Sequence, residues 1–150
     1  MKSNRGFSLL ELLIVVAIIL IIATIAIPNL IRSRQAAQES AAVTTLKTIN
    51  TAEVTYLSSA GGKYGTIGDL VAAGLLDSRF SSSSVGGYTF TVTASGSDYT
   101  ATATPTSANN GRYAYFSYPD AVIRYSTATS GCGSPGGQCF PAGMSGQPVQ

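Results

Sequence analysis

The chain has 150 residues, 45% of them hydrophobic and only 11% charged. This suits one small domain plus one strongly apolar segment and excludes a disordered, charge-rich chain. Without Lys2 and Arg5, seven basic residues balance seven acidic ones, so bulk charge offers nothing to nucleic acid.

Histidine is absent, which removes the commonest general base and transition-metal ligand. The four aspartates, Asp69, Asp77, Asp98 and Asp120, fall in separate segments, and no glycine-rich phosphate loop follows a strand. The sequence therefore reads as non-enzymatic, with no cofactor and no metal. Cys132 and Cys139 have no His or third Cys to complete a zinc site, so an oxidising compartment and a disulfide fit them better.

Residues 1–6 form a short basic leader. From Phe7 to Ile27 there are 21 residues, and only Ser8, Glu11 and Thr24 are polar. As a helix this run is about 32 Å long, enough for the hydrocarbon core of a bilayer. A secretory signal cut near Thr24-Ile25-Ala26 is one reading, but the run is long for that and holds a carboxylate. A plain anchor explains the length and leaves Glu11 without a purpose. A charge at the centre of a spanning helix costs roughly 2.5–3.5 kcal/mol, less towards an end.

The third reading rests on a motif. Gly6-Phe7-Ser8-Leu9-Leu10-Glu11, ahead of an apolar run closing in Ala26-Ile27-Pro28-Asn29, resembles the class III signal of type IV pilins and the related type II secretion pseudopilins. The resemblance implies that a membrane prepilin peptidase cuts between Gly6 and Phe7 and methylates the new amine of Phe7. A glycine before the cut leaves the backbone open to a protease. It also implies that Glu11 pairs with the amine of a neighbouring subunit and sets the register of assembly. Alternatively, Glu11 satisfies its own helix N-terminus, where a carboxylate is favourable. Lys2 and Arg5 favour a cytoplasmic N-terminus. Arg32 and Arg34 follow the block, so the orientation comes mainly from the resemblance.

Pro28 lacks a backbone donor and crowds the preceding turn. By resemblance, the helix loosens over about Ala23 to Asn29. Residues 30–58 contain no Gly or Pro, and Ala42, Leu46, Ile49, Tyr56 and Leu57 recur on one helical face. Arg32, Arg34, Gln38, Glu39 and Lys47 supply polar positions. The helix is expected to reach Ser58 and to end at Gly61-Gly62. Glu53 falls in the apolar stripe, as a carboxylate satisfied within the head or as a contact between subunits.

Thr66 to Leu76 reads as a short amphipathic helix with Ile67, Leu70, Val71 and Leu75 on one side, and Ser81–Ser84 as a linker. The period then switches to two. Tyr88, Phe90, Val92 and Ala94 alternate with threonines, as do Tyr99, Ala101 and Ala103 after the turn Ser95-Gly96-Ser97-Asp98. A third strand is expected over Arg112–Tyr118 and a fourth over Ala121–Ser126, joined at Pro119-Asp120. The tyrosines fall at core positions, so packing is their expected role.

A bridge between Cys132 and Cys139 would close a loop of eight residues, worth about 2.5 kcal/mol in the chain-entropy model. It resembles the C-terminal disulfide region of many pilins, though the loop is small.

The expected fold is α+β and pilin-like: a long N-terminal helix, half membrane-spanning and half amphipathic, against a four-stranded antiparallel sheet. The expected organisation is a leader at 1–6, a membrane and assembly helix at 7–29, and a head at 30–150 outside the cytoplasm. The resemblance implies the major subunit of a type IV pilus. It would wait in the bacterial inner membrane, handled by the peptidase and the assembly machinery, and then join identical subunits in an extracellular homopolymer. The alternatives are a minor pilin for adhesion or DNA uptake and the major pseudopilin of a type II secretion system. Gly62-Lys63-Tyr64-Gly65-Thr66 resembles the pseudopilin loop, where Pro usually stands in place of Gly65. Against that alternative, such proteins often carry a calcium site with several acidic ligands, and Asp120 is the only acidic residue here after Asp98.

Overall fold

The computed structural model describes residues 7–82, 84–127 and 147–149. The expectations for Gly6 and its leader, and for the Cys132–Cys139 bridge, lie outside them. The chain divides into two compact units with the boundary between Arg34 and Gln35.

The first unit is helical. Helix α1 (Leu9–Ser59) begins in it and is unbroken across Pro28. The loosening expected over Ala23 to Asn29 is absent from this single chain. A proline removes one donor, here the one that would reach the Thr24 carbonyl, and the hydrogen-bond ladder on either side persists. The Thr24 hydroxyl is internally satisfied, donating to the Ile21 carbonyl at 2.7 Å. From Phe7 to Ile31 every large apolar side chain is exposed, Leu20 at 60% and Ile25 at 64%. A water-soluble surface rarely carries so large a contiguous apolar area. Among the described residues α1 is the one helix long and apolar enough to cross a membrane.

The second unit is an α+β head. The part of α1 within it buries Glu39, Ala42, Leu46, Ile49, Asn50, Ala52 and Glu53, spaced by three and four along one face. Two left-handed glycines, Gly61 (φ 67°) and Gly62 (φ 83°), follow the helix end, and the Gly62 N–H caps the Leu57 carbonyl at 3.0 Å. Helix α2 spans Ile67–Ala72 and opens with a capping box between Thr66 and Asp69. It stops short of the expected Leu76 because Gly74 turns left-handed (φ 70°), and the Leu75 N–H returns to the Leu70 carbonyl at 2.9 Å. Just ahead of the expected serine linker, a 3-10 turn (Ser78–Ser81) is capped by Asp77 and places Phe80 edge-on to Phe90 at 6.0 Å.

The sheet is an antiparallel meander of β1 (Tyr88–Ser95), β2 (Asp98–Pro105), β3 (Tyr113–Ser117), β4 (Ile123–Thr127) and a two-residue β5 (Gln147–Pro148). The four expected strands are present, and β5 adds a short edge to β4. The third strand starts later than expected because the Arg112 N–H is taken by Glu39, and the fourth because the Val122 N–H is taken by the Asp120 carboxylate in the turn before it. Tyr88, Phe90 and Val92 on β1, with Tyr99, Ala101 and Ala103 on β2, are buried and join Ala42, Leu46 and Ile49 of α1 in one core. The intervening threonines stand on the opposite face, as strand alternation requires.

Candidate functional site

Two sets of residues merit description: the start of α1, and the polar contacts that fix the head to its own stretch of helix.

At the start of α1, Ser8 and Glu11 cap the helix reciprocally. The Ser8 N–H donates to the Glu11 carboxylate at 2.9 Å, and the Leu10 N–H donates to Ser8 Oγ at 3.3 Å. Each bond satisfies a donor that the first turn of a helix leaves unpaired. Phe7 therefore lies outside the helix and is 91% exposed. Glu11 thus has a partner in its own chain, the self-capping alternative raised from the sequence. Its role towards a second subunit has no geometry in one chain. Ser8 was missed as a cap, although the S-x-x-E spacing that signals it stands in the sequence.

In the head, four side chains of α1 reach polar partners beyond the helix: Gln35, Glu39, Asn50 and Glu53. Glu39 was read only as one of the polar positions of the helix. It is 7% exposed and accepts from the backbone N–H of Arg112 at 2.8 Å, from its Nε at 3.2 Å and from its Nη2 at 3.0 Å. Burial pushes the carboxyl upward, but the bonds from Arg112 outweigh it and hold Glu39 below its ordinary value. Asn50 accepts from the Tyr99 hydroxyl at 2.9 Å and donates to Ser117 Oγ at 2.8 Å. Glu53 is fully buried and accepts from the Gly65 N–H at 3.1 Å. Burial pushes its carboxyl upward, the Gly65 N–H opposes this, and nearby Asp69 adds to it. Glu53 thus has a partner within the head for Oε2, as the first of its two alternatives expects, while its buried Oε1 has none.

The tyrosines pack locally. Tyr64 lies on Tyr99 at 4.6 Å and Tyr113 edge-on to Tyr125 at 5.2 Å, and burial pushes the Tyr115 hydroxyl up to about 12. Among the described residues no three His, Cys, Asp or Glu side chains cluster as a metal site would need.

The family signature described as the prokaryotic N-terminal methylation motif matches residues 1–27. The chain thus carries that motif at its N-terminal end. The type IV major pilin protein PilA of Myxococcus xanthus is 53% identical over 55 residues, which is 37% of this chain and 25% of that protein. The type IV wide pilus major component PilA4 of Thermus thermophilus is 50% identical over 40 residues, 27% of this chain and 30% of that protein. The matches thus span about a quarter to a third of these curated relatives. No solved structure matches the chain. The pilin-type α+β architecture of the head is accordingly read from the structure itself.

Proposed function

We propose that this chain is the major subunit of a type IV pilus. It waits in the bacterial inner membrane with its head outside the cytoplasm, and prepilin peptidase cuts between Gly6 and Phe7 and methylates the Phe7 amine. The assembly machinery then moves its apolar helix from lipid into the core of an extracellular homopolymer. The observation that carries this reading is the exposed apolar surface from Phe7 to Ile31, headed by a capped carboxylate.

The physical logic has three steps. In the bilayer, lipid covers the apolar helix, and the Ser8–Glu11 cap satisfies the end that enters first. In the filament, the same surface packs against other copies, so the anchor is also the polymerisation surface. There the charged Phe7 amine needs an opposite charge, and Glu11 of a neighbour supplies it, since buried charges persist when paired. Pro28, with no N–H to give, is the point at which the helix can loosen under that packing. A bridge between Cys132 and Cys139 would close the tail outside the cell.

Position 65 departs from the pattern that pseudopilins usually show. A proline at position 65 would have no N–H for Glu53, whereas Gly65 makes that bond here.

Mass spectrometry of the N-terminal peptide tests the proposal, in sheared extracellular material and in membranes. N-methylated Phe7 abundant in the sheared fraction is the expected result. The same terminus confined to membranes would favour a pseudopilin. A terminus at Met1 or near Ile27 would sink the reading.

A further inference from the structure

We propose that Glu53 is a proton-controlled latch for the loop between α1 and α2: neutral, it holds the loop against the helix, and ionised, it releases it. The proposal does not depend on the filament reading.

The loop, residues 61–66, is held by the Tyr64 ring packed on Tyr99, by the Thr66–Asp69 capping box at its end and by three backbone donors along it. The Gly62 N–H caps Leu57, and the Tyr64 N–H reaches the Gly96 carbonyl in the β1–β2 turn at 3.0 Å. The Gly65 N–H donates to Glu53 Oε2 at 3.1 Å. Gly65 reaches so deep only because it has no side chain: a Cβ there would lie 2.9 Å from the Tyr56 ring and 3.0 Å from Asp69 Cβ. Glu53 has no exposed surface, and its Oε1 is buried without a hydrogen-bond partner.

An ionised carboxylate needs acceptor bonds on both oxygens or a cation, and Glu53 has one neutral donor on one oxygen. The groups around it do not supply the missing charge. Gly65 offers its N–H. Asp69 on α2 is itself a carboxylate and opposes ionisation. Tyr99 on β2 is a buried phenol whose own ionisation is opposed by burial first and then by Glu53, Tyr64 and Asp120, so it stays neutral and brings no positive charge to Glu53. Lys63 is in the loop but exposed, and among the described residues no ion pair to Glu53 is formed. The closed loop therefore favours the neutral acid. Opening gives the carboxylate water.

The sign follows from proton linkage. The closed state holds the proton to a higher pH than the open state does. Its advantage is complete below the ordinary carboxyl value of 4.5 and shrinks as pH rises towards the raised value of Glu53. The opening constant climbs by up to about tenfold per pH unit across that interval and is level above it.

The test is amide exchange at Gly65, on the full chain in detergent micelles between about pH 4.5 and 8, for wild type and Glu53→Gln. Dividing one rate by the other removes the intrinsic pH dependence of exchange. A wild-type to E53Q ratio that climbs with pH and then levels is the expected result. A ratio that stays flat would overturn the latch. The carboxyl carbon-13 shift of Glu53, followed in wild type alone, keeps the test independent of how well the variant folds. A midpoint above 4.5 is expected, and a midpoint at that value would overturn the proposal.

Discussion

Arg112 and Glu39, 73 residues apart in the chain, meet through three hydrogen bonds, one from the Arg112 backbone and two from its guanidinium. The contact anchors the connection between β2 and β3 to α1 and explains why β3 begins one residue late, at Tyr113. The Gln35 side chain reaches the same connection, donating to the Ala108 carbonyl at 2.8 Å.

Because Arg112 holds Glu39 below its ordinary 4.5, the pair supports folding above that pH. The support is lost as pH falls through the lowered value. Glu39→Gln keeps one acceptor but removes the charge, and should cost about 1–2 kcal/mol at neutral pH. Thermal melts at pH 7 and pH 3 check this. The gap between wild type and variant should narrow at the lower pH, and an unchanged gap would mean that the charge contributes nothing.

The Ser8–Glu11 cap separates two roles that one carboxylate can play. Ser8→Ala removes a cap oxygen and should weaken the first turn by about 1 kcal/mol. Amide exchange of Leu10 in micelles reads that loss. Glu11→Ala removes both the self-cap and the proposed partner of the Phe7 amine. It should leave the subunit in the membrane at normal level and cut sheared filament at least about tenfold, on the strength of an unpaired buried charge. Equal filament loss in both variants would assign the effect to the cap alone.

How far the sequence foretold these features depends on distance along the chain. The apolar run, the glycine stop at Gly61-Gly62 and the Tyr88–Tyr99 hairpin repeat with a short period, so they were legible. The Ser8 cap is equally local, carried by the S-x-x-E spacing of Ser8 and Glu11. Glu39 and Glu53 were visible as carboxylates on a helix. Their partners, Arg112 and the Gly65 N–H, depend on which strand connection and which loop reach α1, and no local pattern encodes that. Strand β5 was out of reach for a similar reason: two residues carry no period.

Asn50 sits where the helix, β2 and β3 converge. Tyr99 donates to it, and it donates to Ser117, all three being buried. Tyr99→Phe leaves an Asn50 oxygen without its donor and should cost about 1–3 kcal/mol. Asn50→Ala should cost a similar amount, since it removes the acceptor of the Tyr99 hydroxyl and a donor to Ser117 Oγ, which keeps its own bond to the Tyr118 carbonyl. In the double variant the losses should fall short of their sum by about 0.5 kcal/mol or more, because the groups share one network. Denaturant titrations of the four proteins measure the coupling. Strict additivity would show that the tyrosine hydroxyl gains little from Asn50.

Gly111 offers the sharpest steric test. A Cβ there would overlap the Tyr88 hydroxyl and ring. Tyr88 cannot yield easily: its side chain is fully buried, its hydroxyl donates to the Tyr113 carbonyl at 3.0 Å, and its ring lies 6.1 Å from that of Tyr115. Gly111→Ala should therefore cost about 1–3 kcal/mol or more through overpacking. Gly61→Ala meets nothing within 4 Å and strains only a left-handed backbone at φ 67°, so about 1 kcal/mol is expected. Pairing Gly111→Ala with Tyr88→Phe removes the overlapping hydroxyl and should recover part of the loss. Melting temperatures of the three variants decide the matter. No recovery in the pair would mean that the ring, rather than the hydroxyl, sets the limit.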